Sequence, residues 1–331
     1  MQKKLKIYFL GSGDIAVPVL KKLCQHPAIE LLGVITQPDR PCGRGSKLAP
    51  TPVGSAAAEW ENMPLFKTDQ VNSPEILQIL RAADPDFLVV VSFGQILKND
   101  LLTLPRYSCL NVHASLLPRY RGASPIIQAI LHREEASGIA FMQMEKGLDT
   151  GPVYQMISYP LDGTETAPSL ELALGETAAQ HLPDVLCGIA SGALQSVPQD
   201  HASATCCGKI RREHGKIDWG ASAAAIEAMA RAYAPWPGAY FTAHTPDKDV
   251  VITILRAKVR PDLGGKPGTV LEAGKRGWII ACGEGALELL TISVPGKREM
   301  AATAFLNGLR GAAITLDEPG QPPPFTLRTF S

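Results

Sequence analysis

No apolar run in the 331-residue sequence approaches the ~20 residues that a membrane-spanning helix requires. Met1-Gln-Lys-Lys-Leu-Lys6 opens in the manner of a signal peptide, but the apolar run behind it, Ile7 to Leu10, is too short and soon meets Asp14. Neither membrane insertion nor export is expected, and a cytoplasmic location is. Cysteine is sparse and unpatterned. The seven residues, Cys24, Cys42, Cys109, Cys187, Cys206, Cys207 and Cys282, form no C-x-x-C pair. That excludes a disulfide framework and a cysteine zinc site, and fits a reducing compartment. Net charge is absent too: 32 basic residues balance 32 acidic ones. A chain held on nucleic acid by bulk charge is thereby excluded. There is no internal repeat.

What remains is a globular composition, 45% hydrophobic and 19% charged, of a length that fits two domains. The charge balance conceals a split. Residues 191–331 carry 16 basic and 13 acidic residues, against 16 and 19 in residues 1–190. Such asymmetry either hints that one half meets an anionic partner or reflects drift on solvated surfaces.

The first half alternates strand and helix signals. Leu5–Leu10, Ile29–Thr36, Phe87–Phe93, Cys109–His113 and Ile139–Met144 read as strands. Ala16–Gln25, Ser73–Ala83, Ser124–Leu131 and Ser169–Ile189 have helical spacing. The unbroken β-branched run in 87–93 indicates a buried parallel strand. This alternation predicts an α/β fold with a Rossmann-like doubly wound sheet over residues 1–189. The Pro-, Gly- and Arg-rich stretch between Thr36 and Val53 reads as an irregular surface loop, functional or merely tolerated. Residues 190–206 are small, polar and aperiodic, a linker. Over 207–331, one helix (Ala221–Ala232) accompanies short strands at Val250–Ala257, Gly268–Glu272, Gly277–Ala281 and Leu287–Val294. That pattern predicts a smaller β-barrel domain. The Pro-rich stretch from Gly311 to Ser331 reads as a loosely packed tail.

Three clusters could carry chemistry. Gly11-Ser-Gly-Asp-Ile-Ala16 resembles a dinucleotide phosphate fingerprint, but the acid after the next strand is poorly placed to bind a ribose, and a tight turn needing glycine is the better reading. Asn111-Val-His113 alternates at the carboxyl end of a strand, where ligands of open α/β sheets bind. Asn supplies an uncharged donor and His a proton near neutrality. Gly147-Leu-Asp149-Thr-Gly151 is either a turn closed by its own carboxylate or a carboxylate delivered to His113. Together, Asn111, His113 and Asp149 can run an acyl or formyl transfer to an amine. Asn and protonated His would stabilise the oxyanion, and Asp would take the amine proton.

At these residues the chain resembles the formyltransferases that use 10-formyltetrahydrofolate. The matching blocks are Asn-Val-His-Ala-Ser-Leu-Leu-Pro at 111–118, Arg-Gly-Ala-Ser-Pro-Ile at 121–126 and Gly-Leu-Asp-Thr-Gly at 147–151. The resemblance implies that Asn111, His113 and Asp149 are catalytic and that Ser115, Leu116, Leu117 and Pro118 bind the folate cosubstrate. The pterin would lie near Phe93–Ile96 and Ser115–Pro118. No metal is implied.

The loop from Thr36 to Leu48 is similar to one that family members acting on initiator methionyl-tRNA wedge into the acceptor stem. Arg40, Arg44 and Lys47 would meet the nucleic acid. Lys209-Ile-Arg-Arg-Glu213, Ile217-Asp-Trp219, Arg231 to Gly238 and Pro295 to Met300 resemble the same members' C-terminal OB-like domain and its approach. Lys209, Arg211 and Arg212 join the expected tRNA-binding set. Trp219 and Trp236 would either stack on bases or pack. The implied activity is formyl transfer from 10-formyltetrahydrofolate to the α-amino group of initiator methionyl-tRNA, serving translation initiation, by a monomer. The chain departs from the family pattern at Arg212, where Lys is usual, at Cys207, and in the tail after Arg310. A small-molecule formyltransferase would share the three polar residues but have no use for the Arg-rich loop. A nicotinamide-dependent oxidoreductase would leave those three residues idle.

Overall fold

The computed structural model describes residues 3–42, 47–309, 314–317 and 328–329. Strands β1 (Leu5–Gly11) and β2 (Ile29–Thr36) enclose helix α1 (Ala16–Gln25). A hairpin of β3 (Arg40–Cys42) and β4 (Lys47–Ala49) follows, then α2 (Pro52–Ala57), β5 (Leu65–Lys67), α3 (Pro74–Ala83) and β6 (Phe87–Val91). Next come α4 (Asn99–Leu102), β7 (Ser108–His113), the short β8 (Arg121–Gly122) and α5 (Pro125–Leu131). Strands β9 (Ala136–Gln143) and β10 (Val153–Pro160) and helix α6 (Ala167–Ala190) complete this half.

The sheet order is β10-β9-β7-β6-β1-β2-β5. From β7 to β5 every pairing is parallel, while β9 and β10 form an antiparallel edge. Burial on both faces explains the apolar strands. In β1, Ile7 and Phe9 pack with α1 and α6, whereas Tyr8 and Leu10 pack with α3. In β6, Val89 and Val91 face the first layer, and Leu88 and Val90 the second. The caps follow local rules. Ser73 accepts from Ile76 N at 3.4 Å to start α3, and Thr166 with Ser169 forms a capping box on α6.

The stretch 37–52, read above as irregular, forms the β3–β4 hairpin, with Arg40 opposite Ala49 and Pro41 opposite Leu48. Thr51 then caps α2 by accepting from Gly54 N at 2.9 Å. Ala190 closes α6, and residues 191–206 carry no period because they belong to no long element, but they are pinned. Val197 pairs with Val153, and β11 (Thr205–Cys207) runs parallel to β8, Cys206 opposite Arg121.

After β11 come α7 (Ala223–Ala232), β12 (Ala239–His244), β13 (Asp249–Arg260), β14 (Val270–Gly274), β15 (Gly277–Ala281) and β16 (Ala286–Ser293). They are followed by β17 (Met300–Ala301), α8 (Ala302–Gly308), β18 (Thr315–Leu316) and β19 (Arg328–Thr329). The antiparallel order is β14-β15-β16-β13-β12-β18, with β17 on β16. The result is a curled, nearly closed sheet of the OB type behind a Rossmann-like sheet. Two short stretches of the tail lie among the described residues. Leu316 pairs with Ala243 and Arg328 with Cys206, because the edges of β12 and β11 offer unpaired backbone groups.

An aromatic file fills the second core. Trp219 meets Phe241 edge-on at 5.2 Å, Phe241 meets Trp278 at 5.9 Å, and Trp278 stacks on Phe305 at 5.6 Å. Trp219 is 1% exposed and therefore packs, whereas Trp236 is 56% exposed. The two halves meet where α5 packs on α7 and Arg231 Nη1 donates to Glu165 O at 2.9 Å.

The Gly11–Ala16 turn is spoken for internally. Ser12 N and Gly13 N both donate to Ser92 O, at 3.2 and 3.3 Å. Ile15 N donates to Glu171 Oε1 of α6 at 3.3 Å. A Cβ on Gly13 would lie 2.5 Å from Ser92 Oγ, so glycine here answers to the crossing of two loops. Burial pushes the Glu171 carboxyl above the usual carboxylate range, and Asp14 nearby adds to this against the Ile15 hydrogen bond.

Two stability outcomes follow. Trp278→Ala should cost about 3–5 kcal/mol, read as a lowered calorimetric transition. A carboxyl raised in the folded state contributes fully below its unfolded pKa, and that contribution is lost as pH rises through the folded value. Glu171→Gln should therefore match or exceed the parent's Tm near pH 8, with the margin closing as pH falls toward ~4.3. A Gln variant less stable than the parent near pH 8 would contradict this.

Candidate active site

Strand order reverses between β1 and β6, and the crevice beyond their carboxyl ends is bordered by the end of β7. Asn111 and His113 lie two residues apart on β7 and so share a face. Asp149 arrives from the loop between β9 and β10. The structure brings the three together. Asn111 Nδ2 donates to Asp149 Oδ1 at 3.3 Å, and His113 Nδ1 lies 3.7 Å from Asp149 Oδ2. His113 Nε2 is 3.0 Å from Tyr120 O. A carbonyl only accepts, so Nε2 carries a proton and Nδ1 faces the carboxylate. Protonated His113 would pair with Asp149 directly.

A residue outside the three completes this clasp: Gly122 N donates to Asp149 Oδ2 at 2.8 Å. Gly122 has φ +112°, and a Cβ there would lie 2.2 Å from Cys207 O, so only glycine brings its amide to that spot. Asp149 itself has φ +54°, a left-handed conformation uncommon for a residue with a side chain. Its loop closes tightly: a Cβ on Gly151 would lie 1.9 Å from Gln143 O. Sequence reasoning found Arg-Gly at 121–122 as a block but not its role, since a backbone N–H leaves no mark in residue type. Gln199 also reaches this loop from the aperiodic stretch and has no sequence signal beyond following Pro198.

The Ser115–Pro118 turn follows β7. Ser115 is buried, and its Oγ donates to Arg119 O at 2.6 Å. Leu117 is buried with Ala140, Met142 and Val153. Leu116 and Pro118 are partly exposed, and Pro118 O accepts from Thr205 N at 3.2 Å. The side chains of Ser115 and Leu117 thus build the turn, and its backbone with Leu116 and Pro118 forms its accessible surface. Phe93 is buried, and its carbonyl accepts from Gln37 Nε2 at 2.8 Å, whereas Ile96 is exposed.

Of the cations, Arg40 and Lys47 are exposed on the hairpin, and Arg40 Nη2 donates to Gln37 Oε1 at 2.7 Å. Arg44 lies outside the described residues. Lys209, Arg211 and Arg212 are exposed. Ser124 Oγ donates to Gly208 O at 2.7 Å, which sets the start of this basic run beside the Gly122 loop. Among the described residues, no group of three or more His, Cys, Asp or Glu could hold a metal ion, and no helix is long and apolar enough to cross a membrane.

A family model described as formyl transferase matches residues 5–186, and one described as formyl transferase, C-terminal domain, matches 209–310. The methionyl-tRNA formyltransferase of Geobacter metallireducens is 38% identical over 306 residues, covering 92% of this chain and 96% of its own. That of Pseudomonas paraeruginosa is 37% identical over 306 residues, with the same coverage of 92% and 96%. Among solved structures, HypX from Aquifex aeolicus in complex with tetrahydrofolic acid superposes with a TM-score of 0.62 at 16% identity. That match covers 93% of this chain and 48% of HypX, so the chain spans about half of that protein and shares its fold. With both modules matched and curated relatives aligned nearly end to end, the chain belongs to the formyl transferase family, among the methionyl-tRNA formyltransferases.

Proposed function

We propose that this chain transfers the formyl group of 10-formyltetrahydrofolate to the α-amino group of initiator methionyl-tRNA, giving formylmethionyl-tRNA and tetrahydrofolate. The observation that carries the chemistry is the convergence of Asn111 Nδ2, His113 Nδ1 and the Gly122 amide on one carboxylate, Asp149. Two donors on one carboxylate, with an imidazole nitrogen facing it, suit attack of an amine on a carbonyl carbon.

The methionyl amine must be neutral to attack, and free α-amino groups have pKa values of ~7.7–8.0. As its nitrogen bonds to the formyl carbon, the carbonyl oxygen gains charge. Asn111 and protonated His113 stabilise that oxygen. Asp149 takes the proton that the amine must lose, directly or through a water. The bond from the formyl carbon to N10 of the folate then breaks, N10 receives a proton, and tetrahydrofolate leaves. The amine is itself the nucleophile, so no serine or cysteine is required.

The Ser115–Pro118 turn and the exposed Ile96 supply surface for the folate, and the folate-bound likeness to HypX supports a folate-derived donor. The tRNA reading rests on the family and on cations in two places, Arg40, Arg44 and Lys47 in the hairpin region and Lys209, Arg211 and Arg212 after β11. Positioning by a bound tRNA would convert a bimolecular step into an effectively intramolecular one.

The deciding assay offers one donor, 10-formyltetrahydrofolate, to methionyl-tRNA, free methionine, an amino sugar nucleotide and glycinamide ribonucleotide. Methionyl-tRNA should be used best by about 100-fold or more. Equal use of a small amine would overturn the tRNA assignment. Asp149→Asn should lower kcat by about 1000-fold, at the middle of the range for positioned acid–base groups, and leave tRNA affinity within about twofold. Replacing Arg44 and Lys47 with Ala should weaken tRNA binding and flatten its salt dependence by about one log unit per lost phosphate contact, with kcat at saturation unchanged.

A further inference from the structure

Asp149 is the proposed proton acceptor, yet its backbone sits in a left-handed conformation that persists only where the surroundings hold it. Its loop is flanked by Gly147 and Gly151, whose close approaches leave no room for side chains that could brace it. Something outside the loop must fix it. The Asn111 and Gly122 contacts hold only the carboxylate end. The backbone end is held by one side chain. Gln199 Nε2 donates to Asp149 O at 2.9 Å and to Gly151 O at 2.6 Å. Both amide hydrogens are thereby used, one on each side of Thr150.

The other end of that amide is equally committed. Gln199 Oε1 accepts from Arg121 Nε at 3.0 Å and Nη2 at 2.7 Å. A guanidinium only donates, so the amide can point only one way: oxygen to Arg121, nitrogen to the loop. Arg121 is 2% exposed and Gln199 9%. Arg121 immediately precedes Gly122, whose amide holds the same aspartate. Gln199 therefore ties the loop after β7 to the loop after β9, and Asp149 bridges the same two loops with its carboxylate. The segment that carries Gln199 is anchored on both sides, by Val197 to Val153 at 2.8 and 2.9 Å and by β11 to β8.

We propose that Gln199, oriented by Arg121, is a positioning residue for the formyl-transfer step, fixing the Asp149 main chain so that its carboxylate meets the acceptor amine. This rests on the reading of Asp149 as the proton acceptor. Gln199 meets Asp149 at its main-chain oxygen and not at its carboxylate, so it acts through that residue.

The test uses the full chain and two variants. Gln199→Glu keeps an oxygen for Arg121 and loses the donors to the two carbonyls. Gln199→Met keeps the length and loses every hydrogen bond. Kinetics are followed from about pH 6 to about pH 9, across the acceptor amine's pKa of ~7.7–8.0. In both variants kcat should fall about 100-fold, the effect of a displaced reacting group, while KM for methionyl-tRNA and for 10-formyltetrahydrofolate stays within about threefold. The kcat–pH profile should also change shape. Without an aligned base the rate should keep rising with pH beyond the point where the parent's levels off. A merely structural role would lower the active fraction, measured by folate-site titration, and leave the profile of the active molecules unchanged; that result, or parent-like kcat, overturns the proposal. If Gln199→Met fails to fold, Gln199→Glu decides alone. Asp149→Asn in parallel separates the two readings. An active Asp149→Asn enzyme removes the catalytic reading itself, whereas an inactive one with parent-like Gln199 variants removes only the positioning role.

Discussion

The hydrogen bond from Gly122 N to Asp149 Oδ2, at 2.8 Å, is the constraint around which the crevice is arranged. It joins two loops that leave the sheet from strands of different sense, β7 parallel to its inner neighbour and β9 antiparallel to it. For that amide to reach the carboxylate, residue 122 must lack a side chain and lie against the Cys207 backbone. For the carboxylate to reach the amide, Asp149 must adopt a conformation it would not choose alone. The positive-φ glycine, the strained aspartate and the pinned stretch before β11 are thus consequences of one meeting point. His113 and Asn111 need only the ordinary alternation of a strand to join it.

That difference explains what could be seen in the sequence. Residues 16–25 are legible as a helix because one buried face recurs at helical spacing, and 29–36 as a strand because its second half is wholly buried; α1 and β2 take those limits. Asn111 and His113 are legible because residue type and strand period both point one way. β10 is not, because Val153–Pro160 alternates as an edge strand amid Tyr, Gln and Ser, and β12 hides in a run of six mixed residues after a proline cluster. The pairing of β3 with β4 escaped for a related reason: prolines and glycines mark irregular backbone but not that the residues beside them will pair. Gly122 N and Gln199 escaped altogether, since a main-chain donor has no residue signature and an amide in an aperiodic stretch acquires its role only in three dimensions.

The charge arithmetic gains a physical location. An even overall balance excludes indiscriminate capture of polyanions. Exposed Lys209, Arg211 and Arg212 begin beside the Gly122 loop, so the basic excess of the second half starts next to the chemistry rather than far from it. The aromatic core of the second sheet, by contrast, spends Trp219 on packing against Phe241 and leaves Trp236 as the exposed indole. Core packing and the exposed cations draw on different residues of one small module.

Glu171 has a consequence for selectivity. A doubly wound sheet presents a helix N-terminus at its crevice, a natural magnet for phosphate. Here the chain supplies its own anion: the Glu171 carboxyl sits on the Ile15 amide, and Ser92 O takes the amides of Ser12 and Gly13. A nucleotide arriving at that helix finds its donors engaged and a carboxylate in the way. The donors that in other doubly wound chains gather a dinucleotide's phosphates are here satisfied from within the chain.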